Sequence, residues 1–124
     1  MNLYSHRAKN AYHQNAINFQ TQGNLIVMLY EGAIRFIDTA IEEIEEKNFE
    51  KAHENIIKAE RIISELSRTL DLSTGEISKQ LLMMYDYMLR QLIQANISKN
   101  KDPERLLEVR GLLAEIKEAW EEIA

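Results

Sequence analysis

From residue 24 to the end of the chain, apolar residues recur with the period of an α-helix, and this pattern most constrains the fold. In the second segment the apolar positions advance by three and four residues in turn: Phe49, Ala52, Ile56, Ala59, Ile63, Leu66 and Leu70. Four glycines and one proline in 124 residues are too few for the many turns that connect the strands of a β-sandwich or barrel. The pattern therefore predicts an all-α protein.

Polar residues at the breaks in this pattern predict where helices begin. Asn48 precedes Phe49 as a capping residue, and Asp102-Pro103 is typical of a helix start. Ser73 and Glu76 have the spacing of a capping box. The predicted helices lie near 24–46, 49–71, 75–100 and 103–123. Because the connections are short, neighbouring helices must run antiparallel, which predicts an up-and-down four-helix bundle over 23–124.

Residues 1–22 differ from the rest and are predicted to form an N-terminal arm, partly helical or mobile. Tyr4 and Tyr12 are eight residues apart, which would place them on one face of a short helix. Residues 18–24 are predicted to be a flexible connector. The first acidic residue is Glu31, so residues 1–30 carry a charge of +2 within a total of −5. Docking of this arm on the bundle and a frayed terminus both remain open.

Composition excludes several classes of protein. The chain has no cysteine, so disulfides and thiolate metal sites are excluded. A net charge of −5 disfavours nucleic acid as a partner. The longest apolar run, residues 25–30, is far shorter than the roughly 20 residues of a membrane span, and no signal-peptide core precedes it. We therefore expect a cytoplasmic protein with no nucleic-acid or membrane partner.

Glu50 and His53 are the one pair of residues that suggests metal binding or phosphotransfer. Glu50 and His53 form the Glu-x-x-His unit that di-iron bundles use twice, but the chain lacks a second copy. His53 is also the one histidine within a predicted bundle helix, as a phosphorelay bundle would need. No nucleophile motif or phosphate loop accompanies it. A phosphorelay or metal-binding bundle using Glu50 and His53 stays as the alternative, while we expect a non-enzyme without cofactor or metal.

Two segments carry more apolar residues than a bundle core requires. Residues 25–30 surround the whole circumference of the first helix, and residues 81–89 contain three of the five methionines. This surplus favours a groove for a helical partner over simple core filling. A homo-oligomer that pairs its own apolar faces, and a core role for Trp120, remain open. The predicted partner-binding residues are Tyr4, Tyr12, Ile26, Met28, Leu29, Tyr30, Met84, Tyr87, Met88, Asn96 and Trp120.

An ordered set of short motifs resembles the flagellar export chaperone FliS family. The motifs include Leu25-Ile26-Val27-Met28-Leu29-Tyr30-Glu31-Gly32-Ala33-Ile34, Ile63-Ser64-Glu65-Leu66, Gly75-Glu76-Ile77, Leu82-Met83-Met84-Tyr85-Asp86-Tyr87-Met88, Leu92-Ile93-Gln94-Ala95-Asn96 and Ala119-Trp120. The likeness covers nearly the whole chain. Many family members have a proline shortly before the first long helix, whereas this chain has Thr21-Gln22-Gly23-Asn24.

The resemblance implies a cytoplasmic chaperone that binds the disordered C-terminal segment of flagellin. Such a chaperone prevents premature polymerisation and keeps flagellin competent for type III export. The resemblance also allows the flagellar export apparatus as a second partner. It also implies that the N-terminal arm occupies part of the groove before flagellin binds. A monomer or weak dimer is expected.

Overall fold

The computed structural model describes residues 14–123, without the side chains of residues 14–22, 74 and 123. Within this range the protein consists of four α-helices and one 3₁₀ turn at Leu72–Thr74. The helices are α1 (Gln14–Glu45), α2 (Phe49–Arg68), α3 (Glu76–Ile97) and α4 (Pro103–Ile123). The prediction of an all-α four-helix bundle is confirmed.

The helices form a ring in which each packs against two neighbours. α1 contacts α2 and α4, and α3 contacts the same two helices from the opposite corner. The core runs along the centre of this ring, and its largest side chains include Tyr30, Ile37, Ile56, Tyr85 and Leu92, all at most 1% exposed. The up-and-down order of the helices follows from the short connections between them.

Local chemistry explains most of the helix ends. The side chain of Asn48 accepts a hydrogen bond from the Lys51 N–H, and that of Asp102 accepts one from the Arg105 N–H, so both predicted caps are confirmed. The predicted capping box at Ser73 is wrong. Its hydroxyl donates to Asp71 at 2.6 Å instead, and the cap position of α3 is Gly75, at φ +116°. Glycine adopts that left-handed conformation without the strain of a Cβ atom.

The start of the first helix was predicted wrongly. α1 is already helical at Gln14, the first described residue, ten residues before the expected start at 24, and the predicted connector over 18–24 is helical. No proline interrupts this stretch, and a single glycine, Gly23, costs a helix only about 1 kcal/mol relative to alanine. Because α1 has 32 residues and α2 has 20, α1 is longer by about three turns.

Two glycines within helices, Gly32 and Gly111, are expected to respond differently to replacement by alanine. A Cβ added at Gly111 meets nothing within 4 Å, whereas one at Gly32 lies 3.3 Å from the Cδ1 atom of Ile62. We expect Gly111→Ala to raise the free energy of unfolding by about 0.5–1 kcal/mol, because alanine favours the helix and no neighbour opposes it. Gly32→Ala should give a smaller gain or a loss, since α2 approaches closely there. Urea denaturation of both variants measures the difference, and equal gains would contradict the close approach at Gly32.

Candidate functional site: apolar surfaces of the bundle

The apolar segment 25–30 of α1 keeps part of its surface exposed. Met28 is 51% exposed, while Leu25, Ile26, Val27 and Leu29 are half-buried. Ile26 and Leu29 also pack against the core. The excess of apolar residues noted in the sequence is therefore not fully covered, and Met28 lies at its most accessible point.

Two predicted site residues have no accessible surface. Tyr30 and Met88 are 0% exposed, and both belong to the central core. In this conformation neither side chain offers an atom to a partner, and their role in partner binding stays a prediction. Their positions follow from the helical period: Tyr30 precedes the buried Ala33 and Ile37 on α1, and Met88 precedes the buried Leu92 on α3.

Tyr30 and Tyr85 join the two diagonal helices through their hydroxyl groups. Their Oη atoms are 2.5 Å apart, and the ring centroids are 6.4 Å apart. Burial raises the pKa of Tyr30, and hydrogen bonds with Tyr85 and Trp120 offset part of that rise. The pKa of Tyr85 is also raised, first by burial and then by its hydrogen bond to Tyr30. Both phenols therefore remain neutral, and one hydroxyl satisfies the other within the core.

The remaining predicted site residues on α3 and α4 are partly accessible. Met84 and Trp120 are half-buried against the core. The hydroxyl of the half-buried Tyr87 donates to Glu108 Oε1 at 2.8 Å, which links α3 to α4. Asn96 is half-buried, and its backbone carbonyl accepts from Lys101 Nζ at 2.7 Å. The predicted arm residues Tyr4 and Tyr12 lie outside the described residues.

Sequence reasoning missed several exposed apolar side chains. They are Leu72 (47%), Ile77 (75%), Met83 (71%), Ile93 (46%), Ile97 (71%) and Leu107 (53%). Ile77 has the spacing of the core stripe of α3, yet it projects into solvent because it lies in the first turn of the helix. Met83, Ile93, Ile97 and Leu107 could have been found from the helical period, since each lies away from the buried stripe of its helix. Leu72 lies in the 3₁₀ turn, where that period does not apply. Met83, Ile93 and Ile97 make α3 the helix with most of this surface.

Three buried polar atoms have no hydrogen-bond partner among the described residues. They are Glu60 Oε2, Ser67 Oγ and Asn96 Oδ1. Burial raises the pKa of the Glu60 carboxyl, and the charge of His53 partly offsets this rise. An unpaired acceptor in a half-buried position is costly, so these atoms mark a surface whose hydrogen bonding is incomplete.

The residues of the alternative function do not assemble a site. Glu50 and His53 are both exposed on α2. Across residues 14–123, no three side chains that could bind a metal ion come together. Over the same range, no helix combines the length and apolar character needed to cross a membrane.

These features define a helical bundle with accessible apolar surface on α1 and α3, the type of surface that binds another polypeptide. The family model described as flagellar protein FliS matches residues 4–124. The flagellar secretion chaperone FliS of Bacillus subtilis (strain 168) is 46% identical over 112 residues, 90% of this chain and 82% of that relative.

Two further relatives extend the likeness. The flagellar secretion chaperone FliS of Campylobacter jejuni (serotype O:6, strain 81116) is 33% identical over 122 residues, covering 98% of this chain and 94% of the relative. That of Salmonella typhimurium (strain LT2) is 36% identical over 113 residues, 90% of this chain and 82% of the relative. This chain belongs to the flagellar protein FliS family, which confirms the resemblance seen in its motifs.

Proposed function

We propose that this protein is a non-enzymatic export chaperone of the cytoplasm that binds the disordered C-terminal segment of flagellin. By covering apolar faces that would otherwise pair in the filament, it prevents premature polymerisation and keeps flagellin competent for type III export. Membership of a family whose relatives are named flagellar secretion chaperones supports this function. The half-exposed Met28 on α1 is the structural observation that carries it.

The exposed apolar groups suit a ligand that folds as it binds. A disordered segment must spend about 2–5 kcal/mol on ordering, so it needs a long contact surface to bind well. Apolar side chains are exposed on α1, on α3 and on α4, at Met28, Met83 and Leu107. A ligand that wraps around the bundle can use several of these positions, whereas a compact partner would reach fewer.

The comparisons do not favour the phosphorelay or metal-binding alternative, since the relatives are named chaperones. We propose that Glu50 and His53 are solvated surface residues of α2. Metal analysis of the purified protein tests this assignment, and stoichiometric metal would contradict it.

Charge insertion at Met28 tests the proposed function. We expect Met28→Glu to weaken binding of the flagellin C-terminal segment by about tenfold or more, or about 1.4 kcal/mol, because a carboxylate cannot be buried there without a partner. Isothermal titration calorimetry measures the affinity, and circular dichroism should show unchanged helical content, since the site is half exposed.

Leu72→Glu is the matched control, because Leu72 in the 3₁₀ turn is 47% exposed and Met28 is 51% exposed. Equal loss of affinity in both variants would indicate a general effect of charge and contradict a role for Met28. Loss of helical content in Met28→Glu would show that Met28 is needed for the fold and would assign it to the core.

The homo-oligomer alternative has its own test. Sedimentation over a concentration series separates a monomer that awaits a ligand from a chain that associates with itself.

A further inference from the structure

Two methionines lie on the outer surface of the bundle. Met83 on α3 is 71% exposed and Met28 on α1 is 51% exposed. Of the other two methionines among the described residues, Met84 is half-buried and Met88 is 0% exposed. The four side chains therefore differ widely in how far a dissolved reagent can reach them.

The helical period explains why the two exposed side chains face outward. Met28 and Met83 each precede a buried tyrosine by two residues, Tyr30 on α1 and Tyr85 on α3. At 100° per residue, each methionine lies about 160° around its helix from that tyrosine. Arg35, seven residues after Met28 and on the same face of α1, is also exposed. Both methionines thus lie on the side of their helix that is turned away from the core.

The tyrosine pair also places the two methionines at nearly the same height on the bundle. The Oη atoms of Tyr30 and Tyr85 are 2.5 Å apart across the core. α1 and α3 run in the same direction, because each is antiparallel to α2. Each methionine comes two residues before its tyrosine, a rise of about 3 Å. Met28 and Met83 therefore lie on opposite outer faces at one level, where a client that wraps around the bundle meets both.

These methionines are the side chains that a mild oxidant attacks first. The chain contains no cysteine, so no thiol reacts before them. Hydrogen peroxide transfers one oxygen atom to the thioether sulfur: the O–O bond breaks, an S=O bond forms, and the peroxide is reduced to water while the sulfur is oxidised to a sulfoxide. The product is polar, and methionine sulfoxide reductases return it to the thioether.

We propose that Met28 and Met83 are reversible oxidation sites, and that their conversion to sulfoxides prevents the chaperone from holding its client. A sulfoxide oxygen pressed against an apolar client face has no hydrogen-bond donor there, so binding becomes less favourable. On the free chaperone the same oxygen is hydrated, because both side chains are exposed. Oxidation therefore lowers affinity and leaves the bundle folded. This inference rests on the proposed function, and it adds a means of regulating the same surface.

Peroxide treatment of the full chain tests the proposal, with the oxidant removed before the flagellin C-terminal segment is added. Peptide mass spectrometry should find sulfoxide at Met83 and Met28 first, and at Met88 last. The treated chain should bind the segment about tenfold more weakly in calorimetry. Its helical content by circular dichroism should stay unchanged. Incubation with methionine sulfoxide reductases of both stereospecificities and a thiol reductant should restore the affinity.

The double variant Met28→Leu/Met83→Leu separates these sites from other effects of peroxide, because leucine has nearly the same volume and no sulfur. It should bind the segment as the wild type does before treatment and keep that affinity afterwards. Met84→Leu is the matched control, since Met84 is next to Met83 in the chain but half-buried, and it should lose affinity on treatment as the wild type does. Full loss of affinity in the treated double variant would overturn the proposal, and so would a loss that the reductases do not reverse.

The two proposals fail in different ways. If the untreated chain binds the flagellin segment and the treated chain, with both methionines oxidised, binds it equally well, the oxidation proposal is wrong and the proposed function stands. If the untreated chain does not bind the segment at all, the proposed function fails, and the proposed consequence of oxidation fails with it.

Discussion

Leu92→Ala lowers the free energy of unfolding by about 2–5 kcal/mol, whereas Ile93→Ala at the next position changes it by about 1 kcal/mol or less. Leu92 is 0% exposed in the centre of the bundle, and Ile93 is 46% exposed at its surface. Truncation at Leu92 removes buried methyl groups and leaves a cavity. Truncation at Ile93 removes atoms that already contact water.

Urea denaturation at constant pH measures both values. For a domain whose total stability is about 5–15 kcal/mol, loss at Leu92 is a large fraction of the total. Ile93→Ala is the control, because it deletes a side chain of the same size from the same helix. Similar losses at the two positions would contradict the assignment of the faces of α3.

Tyr85→Phe lowers the free energy of unfolding by about 1–3 kcal/mol, although it removes only one oxygen atom. The buried hydroxyl of Tyr30 loses its partner at 2.5 Å and keeps only its hydrogen bond with Trp120. The double variant Tyr30→Phe/Tyr85→Phe should lose less than the sum of the two single variants, because neither hydroxyl is then left unpaired. Additive losses would show that the two groups do not depend on each other.

The same pair determines how stability responds to alkaline pH. Burial raises the pKa values of both phenols above the ordinary value of 10.0, so the unfolded chain ionises first. Their contribution to stability is therefore complete below about pH 10 and is lost as the pH rises above that value. Tyr85→Phe should weaken this dependence. Ile93→Ala, which removes an exposed side chain that does not titrate, serves as the control and should leave the alkaline dependence of the wild type in place.

The candidate site was only partly predictable, because helical periodicity identifies an apolar excess without saying which residues remain exposed. Met28, Met84 and Tyr30 all belonged to that excess. In the structure Met28 is 51% exposed, Met84 is half-buried and Tyr30 is wholly buried. Which of them reaches solvent depends on how far the neighbouring helices extend and how they are rotated. Neither property is encoded in the spacing of apolar residues along one helix.

By itself the sequence determined the class of fold, the family and the principal helix starts at Asn48 and Asp102. These depend on local chemistry: the period of apolar residues, the scarcity of glycine and proline, and side chains that cap a backbone N–H. Tertiary structure alone decided that Tyr30 pairs with Tyr85 and that Arg110 of α4 bonds to Asp38 of α1. These contacts join residues far apart in the chain, and their geometry is set by the packing of whole helices.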